Sequence, residues 1–195
     1  VEPSIFPDDR FAASGVKNLV VLVTGGTGFL GRRVVRELLE RGHQVRLLVH
    51  TPGSERMFSH RQVAVQNGSI RDPVALSGAF YDVEAVVHLA GENIAAGRWN
   101  AARKARIRES RVAGTKLLCS KLAEMPKPPK VLVCASAIGY YGDRGDESLP
   151  EDAPVGEGFL PDVCREWEAA SSAAEHAGIR VVRLRIGVVL SPKGG

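Results

Sequence analysis

Residues 19–31 read LVVLVTGGTGFLG and place an apolar run, a glycine-rich turn and the start of a helical pattern in direct succession. A strand that passes through such a turn into a helix offers free backbone N–H groups and a partial positive charge to an anion. Gly25 permits the tight turn, Gly28 lets the backbone approach a phosphate, and Gly31 lets the helix pack close to the strand. The stretch therefore predicts a dinucleotide-binding turn, in preference to a glycine turn beside an empty cleft.

Apolar runs and helical patterns alternate along the rest of the chain. We predict strands over 19–23, 45–49, 62–66, 85–90, 131–136 and inside 180–190, and helices over 29–41, 73–81, 100–123 and 161–176. Several strands are continuous apolar runs, which is typical of parallel strands covered by helices on both faces. The predicted fold class is therefore α/β, a doubly wound parallel sheet of the Rossmann type with strand order 3-2-1-4-5-6. Residues 1–18 form an irregular extension before a domain that spans 19–195.

The composition is that of a soluble globular protein, with 44% hydrophobic residues, 25% charged residues and a net charge of +4. No apolar run approaches the roughly 20 residues that cross a bilayer, so we predict no membrane span. Cys119, Cys134 and Cys164 are far apart and the five histidines show no ligand spacing. We therefore predict reduced thiols and no metal site. The expected location is the cytoplasm or an organelle interior, such as a mitochondrion or plastid, and not the secretory route.

The residues after the second predicted strand indicate which dinucleotide fits. A site that prefers NAD carries an Asp or Glu there, about 20 residues after the glycines, to accept from the ribose hydroxyls. In this chain His50 and Thr51 follow the strand, no acid occurs before Glu55, and Arg46 and Arg56 are nearby in the sequence. A 2′-phosphate would be tolerated and paired, so NADP is favoured over NAD, unless these residues are only solvated surface.

Two further strand ends carry the remaining candidate residues, because ligands of doubly wound sheets bind beyond the carboxyl ends of the strands. The fourth strand leads into Leu89-Ala90-Gly91, and the fifth leads through Ser136 to Tyr140 and Tyr141. We expect both ends to meet near the nicotinamide, and Ser69 and Ile70 to flank the adenine. The residues predicted to bind the cofactor are Gly25, Thr27, Gly28, Phe29, Leu30, Gly31, His50, Thr51, Ser69, Ile70, Leu89, Ala90, Gly91 and Ser136.

Motifs spread along the chain carry a family resemblance. They are the glycine turn at 25–31, HLAGENI at 88–94, Arg98-Trp99, Ser110-Arg111, ASAIGYYG at 135–142, FL at 159–160, VCREWE at 163–168 and RIGVVL at 185–190. As a set they resemble the extended type of the short-chain dehydrogenase/reductase superfamily. More narrowly, the chain resembles its atypical SDR39U branch of NAD(P)-dependent epimerase-like proteins. Members of that branch usually continue into a substrate-binding lobe, so the resemblance implies that this chain is truncated before the lobe.

The resemblance also implies where the catalytic groups lie. The superfamily uses a Tyr and, four positions later on a helix, a Lys that lowers the pKa of the phenol for proton transfer. Phe159 and Val163 occupy these positions here, so the usual pair is absent. Ser136 matches the superfamily's substrate-orienting Ser. Tyr140 or Tyr141 is the candidate substitute proton donor, and the alternative is that both pack around the cofactor or an interface.

Two functions fit these observations. The first is an NADP-binding atypical short-chain dehydrogenase/reductase, an oxidoreductase or epimerase-like enzyme whose small-molecule substrate the sequence does not identify. The second is a non-catalytic NADP-binding subunit with a structural, assembly or redox-sensing role in a larger complex. The missing Tyr–Lys pair and the missing lobe favour the second function, whereas the intact cofactor half favours the first.

Residues 98–111 form a basic segment with six cationic side chains and one acid, Glu109. One interpretation is a solvated helix face with Ile107 inward. In another, Lys104 or Arg111 turns toward the cleft and meets a phosphate. In the third, the helix docks on an acidic protein partner. No RNA-binding aromatic motif accompanies the segment, which argues against nucleic acid.

Overall fold

A computed structural model describes residues 18–58, 60–95 and 97–191, so all but the last residue of the extension predicted at 1–18 lies outside the described residues. Within these ranges strands and helices alternate as predicted. The strands β1–β6 span Val20–Thr24, Gln44–Val49, Val63–Asn67, Ala85–His88, Val131–Ala137 and Arg180–Ile186. The helices α1–α5 span Phe29–Glu40, Pro73–Ala79, Ala101–Ala123, Phe159–Ala169 and Ser172–His176. Short 3-10 helices over Ser54–Phe58 and Ile138–Tyr141 were not predicted.

The strands form one parallel sheet with the order β3-β2-β1-β4-β5-β6, which confirms the predicted doubly wound fold. At the carboxyl end of β1, Thr24 is aligned with Leu48 of β2 and with His88 of β4. In the same way, Ser136 of β5 is aligned with Arg185 of β6. The segments that follow these strands therefore emerge along one edge of the sheet.

Buried side chains form a hydrophobic core on each face of the sheet. On one face, Leu22 of β1 belongs to a cluster with Leu118 of α3 and Ala174 of α5. On the other face, Leu47 of β2 packs in a cluster with Val35 of α1. Burial on both faces is the arrangement predicted from the continuous apolar runs, and it leaves the carboxyl edge of the sheet as the place for a ligand.

The single helix predicted over 161–176 is wrong, because the segment folds as α4 and α5 with a break at Ala170 and Ser171. Ser171 is fully buried, and its hydroxyl donates to the backbone carbonyl of Glu168 at 2.7 Å. Arg183 of β6 donates its Nε to the same carbonyl at 3.1 Å and to the Ser171 hydroxyl at 3.0 Å. These donors occupy the carbonyl that the next turn of an α-helix would use, so the helix stops there.

The turn between β1 and α1 is packed so closely that Gly25 and Gly31 leave no room for a side chain. Gly25 has a φ of +71°, and a Cβ at this position would lie 2.7 Å from the backbone nitrogen of Ala90. A Cβ on Gly31 would lie 2.1 Å from the carbonyl oxygen of Gly25. The N–H of Gly28 donates to that same oxygen at 3.0 Å. The glycines therefore hold α1 against both β1 and the segment that follows β4.

We expect Gly31→Ala to lower the free energy of unfolding by roughly 1–3 kcal/mol or more, because the methyl group overlaps a backbone oxygen. Gly78→Ala in α2 is the matched control, since a Cβ there meets only the flexible end of Gln66, at 2.9 Å from its Oε1. The control should be neutral or should gain up to about 1 kcal/mol of helix propensity. Urea denaturation measures both variants, and equal losses would contradict the close packing at Gly31.

Candidate functional site

A cavity of about 410 Å³ opens at the carboxyl edge of the sheet. The β1–α1 turn, the segments after β2, β3 and β4, and the first half of α3 line it. The lining includes ten residues that the sequence predicts to bind a cofactor, namely Gly25, Thr27, Gly28, His50, Thr51, Ser69, Ile70, Leu89, Ala90 and Gly91. The other four do not line it: Phe29, Leu30 and Gly31 form the first turn of α1, and Ser136 is buried in β5.

The amino end of α1 lies beside the cavity without a competing side chain. Gly28 is the N-cap residue, no side chain among the described residues caps the helix, and its first turn contains no acid. The first N–H groups of a helix have no partner within the helix, and the helix dipole adds a partial positive charge there. This corner of the cavity can therefore bind an anion such as a phosphate.

The segment after β2 supplies exposed polar groups to the cavity, and they come from His50 and Thr51. No acidic side chain of the lining comes from this segment. Arg46 does not reach the site, because it lies in mid-strand, about 13 Å from His50 at the rise of a parallel strand. It lines a second cavity, at the amino ends of β1–β3. Arg56 is also outside the lining, so of His50, Arg46 and Arg56 the structure brings only His50 to the cavity.

A chain of buried polar groups, which the sequence did not single out, connects the cavity wall to α4. Oγ1 of Thr24 lies 2.6 Å from Nδ1 of His88, whose Nε2 lies 2.9 Å from Oγ1 of Thr115. Trp167 donates its indole N–H to the same Thr115 oxygen at 2.9 Å, and Ala90 donates its backbone N–H to Thr24 at 3.4 Å. Burial lowers the pKa of His88 to about 4, so its imidazole is neutral, with one nitrogen donating and the other accepting.

Ser136 belongs to a second polar cluster, at the end of β5. Its hydroxyl donates to Oε1 of Glu168 at 2.6 Å. Arg185 donates Nε to the same oxygen at 2.8 Å and Nη2 to Oε2 at 2.9 Å. Burial raises the pKa of Glu168, but the hydrogen bonds from Arg185 and Ser136 outweigh it and lower the pKa overall. Because the resulting carboxylate only accepts, the Ser136 proton points to Glu168.

Arg185 also organises the two tyrosines. Its Nη1 donates to the hydroxyl of Tyr141 at 2.8 Å and to the backbone carbonyl of Glu151 at 2.7 Å. Its guanidinium carbon lies 3.6 Å from the centre of the Tyr140 ring. Tyr141 is buried, whereas Tyr140 is half-buried and its hydroxyl makes no hydrogen bond to the described residues. Tyr140 is therefore the tyrosine whose phenol is available to a ligand.

Phe159 and Val163, to which the resemblance assigns the positions of the Tyr–Lys pair, both lie in apolar surroundings. Phe159 begins α4, and its ring meets Trp99 edge-on with 5.6 Å between ring centres. Nζ of Lys104 lies 5.2 Å from the centre of the Phe159 ring. Val163, one turn later in α4, is 1% exposed. Neither Phe159 nor Val163 can transfer a proton, so any acid–base chemistry here needs other residues.

The basic segment 98–111 does not form a single solvated face. Arg103 is buried, and its guanidinium donates to the backbone carbonyl of Asn93. The guanidinium of Arg111 lies beside Gly91, where an added Cβ would be 3.4 Å from Cζ of the arginine. Arg106 lines the cavity. Of the two cations predicted to turn toward the cleft, Arg111 lies beside Gly91 of the lining, whereas Lys104 faces Phe159. The cation of this helix that lines the cavity is Arg106, which was not predicted, and the solvated-face interpretation fails for Arg103.

Two other kinds of site find no support in residues 18–58, 60–95 and 97–191. No group of three or more His, Cys, Asp or Glu side chains there could hold a metal ion. Burial raises the pKa of the Cys119 and Cys134 thiols to about 12, which keeps them protonated. None of the helices described is long and apolar enough to cross a membrane. The candidate site is the cavity at the carboxyl edge of the sheet together with the Ser136 cluster at the end of β5.

As the pH is lowered from 6.5 to 4, we expect protonation of His88 in the unfolded chain to reduce the free energy of unfolding by about 3 kcal/mol. The unfolded imidazole has a pKa of 6.5, whereas burial lowers the folded pKa to about 4, so the unfolded chain takes up a proton first as the pH falls. The contribution of His88 to the free energy of unfolding is therefore fully present above pH 6.5 and is lost as the pH falls toward 4. Denaturation of the native chain and of His88→Gln isolates this share, because the other groups cancel in the difference. Parallel pH profiles would show that His88 is not its source.

Comparison with known proteins supports the resemblance read from the motifs. Residues 21–195 match the model of the NAD dependent epimerase/dehydratase family. An epimerase family protein of Mycobacterium bovis is 38% identical over 178 residues, which cover 91% of this chain and 56% of that protein. The human epimerase family protein SDR39U1 is 35% identical over 90% of this chain and 56% of its own length. The chain spans about half the length of the curated relatives that it matches.

Solved structures show the same fold. A nucleoside-diphosphate sugar epimerase from Corynebacterium glutamicum superposes with a TM-score of 0.73 at 38% identity, covering 92% of this chain and 36% of that one. The crystal structure of human SDR39U1 (isoform 2) with NADPH superposes with a TM-score of 0.76 at 32% identity. The match covers 91% of this chain and 56% of that one. By sequence match and by fold, this chain belongs to the NAD dependent epimerase/dehydratase family, and its relatives include SDR39U1.

Proposed function

We propose that this chain binds NADP in the cavity at the carboxyl edge of its sheet and forms the cofactor half of an epimerase-like oxidoreductase. The observation that carries the proposal is the convergence of ten predicted cofactor residues on one cavity beside an uncapped helix end. The NADPH in the crystal structure of human SDR39U1 supports it. Since the chain spans about half of its relatives' length, the activity and the substrate are proposals for the whole protein.

The residues present fit a dinucleotide. Gly25 and Gly28 would hold the pyrophosphate beside the amino end of α1, and the first turn of that helix would fix the geometry. Ser69 and Ile70 would flank the adenine at the end of β3. The segment 89–91 would line the ribose side. Its backbone lies so close to Gly25 that a Cβ on that glycine would overlap it. Each of these roles uses a group that lies at the cavity or in the turn that shapes it.

The end of β2 favours NADP over NAD. His50 and Thr51 are exposed at the cavity there, and neither side chain would repel a 2′-phosphate. An Asp or Glu at this place, which NAD-preferring sites use to accept from the ribose hydroxyls, is absent from the lining. His50 would donate to the phosphate, so this residue would carry the preference.

Catalysis would use the cluster at the end of β5. NADPH, when bound, supplies a hydride for the carbon of a carbonyl substrate. Tyr140 would donate the proton that the carbonyl oxygen takes up, because its hydroxyl is the one not committed to Arg185. Ser136 would orient the substrate by accepting a hydrogen bond, since its own proton points to Glu168.

The alternative, a non-catalytic NADP-binding subunit with a structural, assembly or redox-sensing role, is favoured by a specific observation. The hydroxyl of Ser136 donates to Glu168 at 2.6 Å, and the hydroxyl of Tyr141 accepts from Arg185 at 2.8 Å, so both groups already have partners within the protein. Such a cluster stabilises the end of β5 whether or not a substrate binds. The bound nucleotide would then act by stabilising the native state. An acidic partner of the basic helix and a location in an organelle would belong to this alternative.

We expect NADPH at about 100 times its Kd to stabilise the chain by about 2.7 kcal/mol, and NADH to do less at equal concentration. His50→Asp should reverse this preference, because a carboxylate repels the 2′-phosphate and accepts from the ribose hydroxyls of NADH. His60→Asp adds the same charge at an exposed site outside the cavity and should leave the preference unchanged. Thermal unfolding across a nucleotide series measures all three proteins. Equal shifts with both nucleotides would discard the NADP preference, and no shift with either would overturn cofactor binding.

We expect Tyr140→Phe to lower kcat by about 10²- to 10⁴-fold on any carbonyl or sugar-nucleotide substrate found by screening NADPH oxidation. NADPH affinity should stay the same, because Tyr140 does not line the cavity. Tyr141→Phe is the comparison variant, and it should act mainly on stability by removing the acceptor of Arg185. Full turnover by both variants would rule out the tyrosines as proton donors. Failure to find multiple turnover with any substrate would favour the subunit.

A further inference from the structure

The charged side chains that line the cavity are two acids and two arginines, and three of these four are already paired. Glu109 of α3 forms an ion pair with Arg71, with 2.8 Å between Oε1 and Nη1. Glu92 lies 3.5 Å from a guanidinium nitrogen of the buried Arg103. Arg106 makes no ion pair and no hydrogen bond to any of the described residues. It is thus the one uncompensated formal charge of the lining, within the part of the chain that the structure describes.

The position of Arg106 on α3 places it near the middle of the cleft. It lies one helical turn before Glu109 and Ser110, on the same face of the helix. Glu109 reaches the segment after β3 through Arg71, and Ser110 accepts from the backbone N–H of Glu92, after β4, at 3.1 Å. The amino end of α3 lies near the start of α4 instead, as the contact of Lys104 with Phe159 shows. Arg106 is therefore between the β3 end of the cleft and its α4 end.

The turn between β1 and α1 has no cation of its own for a pyrophosphate. Residues 24–31 include no Lys or Arg, and the helix dipole provides only about half an elementary charge. Arg32, the next cation on α1, bends back to the carbonyl oxygen of Gly28 at 3.4 Å and does not line the cavity. A positive charge from another wall would therefore add to what this turn offers two phosphates, and a guanidinium suits them because its donors match phosphate oxygens in pairs.

We infer that Arg106 binds the pyrophosphate of the dinucleotide from the wall that α3 forms. Its charge is opposite to that of the ligand, and the two acids of the lining, Glu92 and Glu109, are paired with Arg103 and Arg71 instead. The inference rests on the proposed binding of NADP and adds to it a residue from outside the glycine turn. It also gives the basic segment 98–111 a specific task, in which one of its cations belongs to the cofactor rather than to a protein partner.

The test compares Arg106→Gln with Lys104→Gln in the intact chain. Both variants lose one positive charge from exposed positions of α3 two residues apart, but Lys104 faces Phe159 rather than the cavity. Titration calorimetry at low salt measures the Kd values of NADPH and NADH for each protein. We expect Arg106→Gln to weaken both nucleotides by roughly 10- to 100-fold, the worth of a hydrogen-bonded charge pair. Lys104→Gln should change either Kd by less than about twofold.

Salt dependence provides a second measurement on the same proteins. Salt screens a charge–phosphate contact, so added NaCl should weaken nucleotide binding less in Arg106→Gln than in the native chain. Lys104→Gln should keep the native salt dependence. A salt dependence that is the same in all three proteins would contradict a direct contact between Arg106 and a phosphate.

Each other outcome has a definite meaning. Unchanged affinities in Arg106→Gln, or equal losses in the two variants, would overturn the inference and leave the proposed function standing. A loss confined to NADPH would place Arg106 at the 2′-phosphate and would overturn the assignment to the pyrophosphate. If the native chain binds neither nucleotide, the proposed function itself fails, and the role of Arg106 fails with it.

Discussion

The close contact between Gly31 and the carbonyl oxygen of Gly25 is the constraint on which the rest of the structure depends. With no side chain at residue 31, the first turn of α1 rests directly on the turn that leaves β1, where a Cβ would lie only 2.1 Å from that oxygen. Gly25 makes the same kind of approach to the segment after β4. These two contacts bring the amino end of α1 and the ends of two strands together, and the cavity is the space that remains between them.

Two polar systems extend from this frame, and both end on neighbouring residues of α4. The chain from Thr24 through His88 and Thr115 ends on Trp167, and the bonds from Ser136 and Arg185 end on Glu168. Buried networks with every member satisfied hold one arrangement of the backbone, and bonds to a carboxylate are the stronger kind. The position of α4 therefore couples the cavity wall to the Ser136 cluster.

Local sequence patterns were enough to predict the strand order, the glycine turn and ten of the residues that line the cavity, because the elements and turns that carry them are marked by neighbours in the chain. Asp72 and Pro73 similarly begin α2, where the Asp72 carboxylate accepts from the N–H of Val74. The roles of Glu168 and Arg185 were not predictable in this way. Their partners are 32 and 17 residues away, and nothing in the motifs says that these side chains meet. From the sequence, His88 is one more residue of an apolar strand. Its contact with Thr24 becomes evident only from the register of β1 and β4.

The sequence by itself determined that this chain builds a dinucleotide-type turn in a doubly wound sheet. This follows from residue type and spacing, which act through the nearest neighbours of each residue. Only the tertiary structure decided which side chains of the basic and polar segments already have a hydrogen-bond or ion-pair partner and which do not. It buries Arg103, pairs Arg71, leaves Arg106 at the cavity without an ion pair to any residue that the structure describes, and commits Ser136 to Glu168. The reason is physical: hydrogen bonds and ion pairs form between side chains that packing brings together, whatever their separation along the chain.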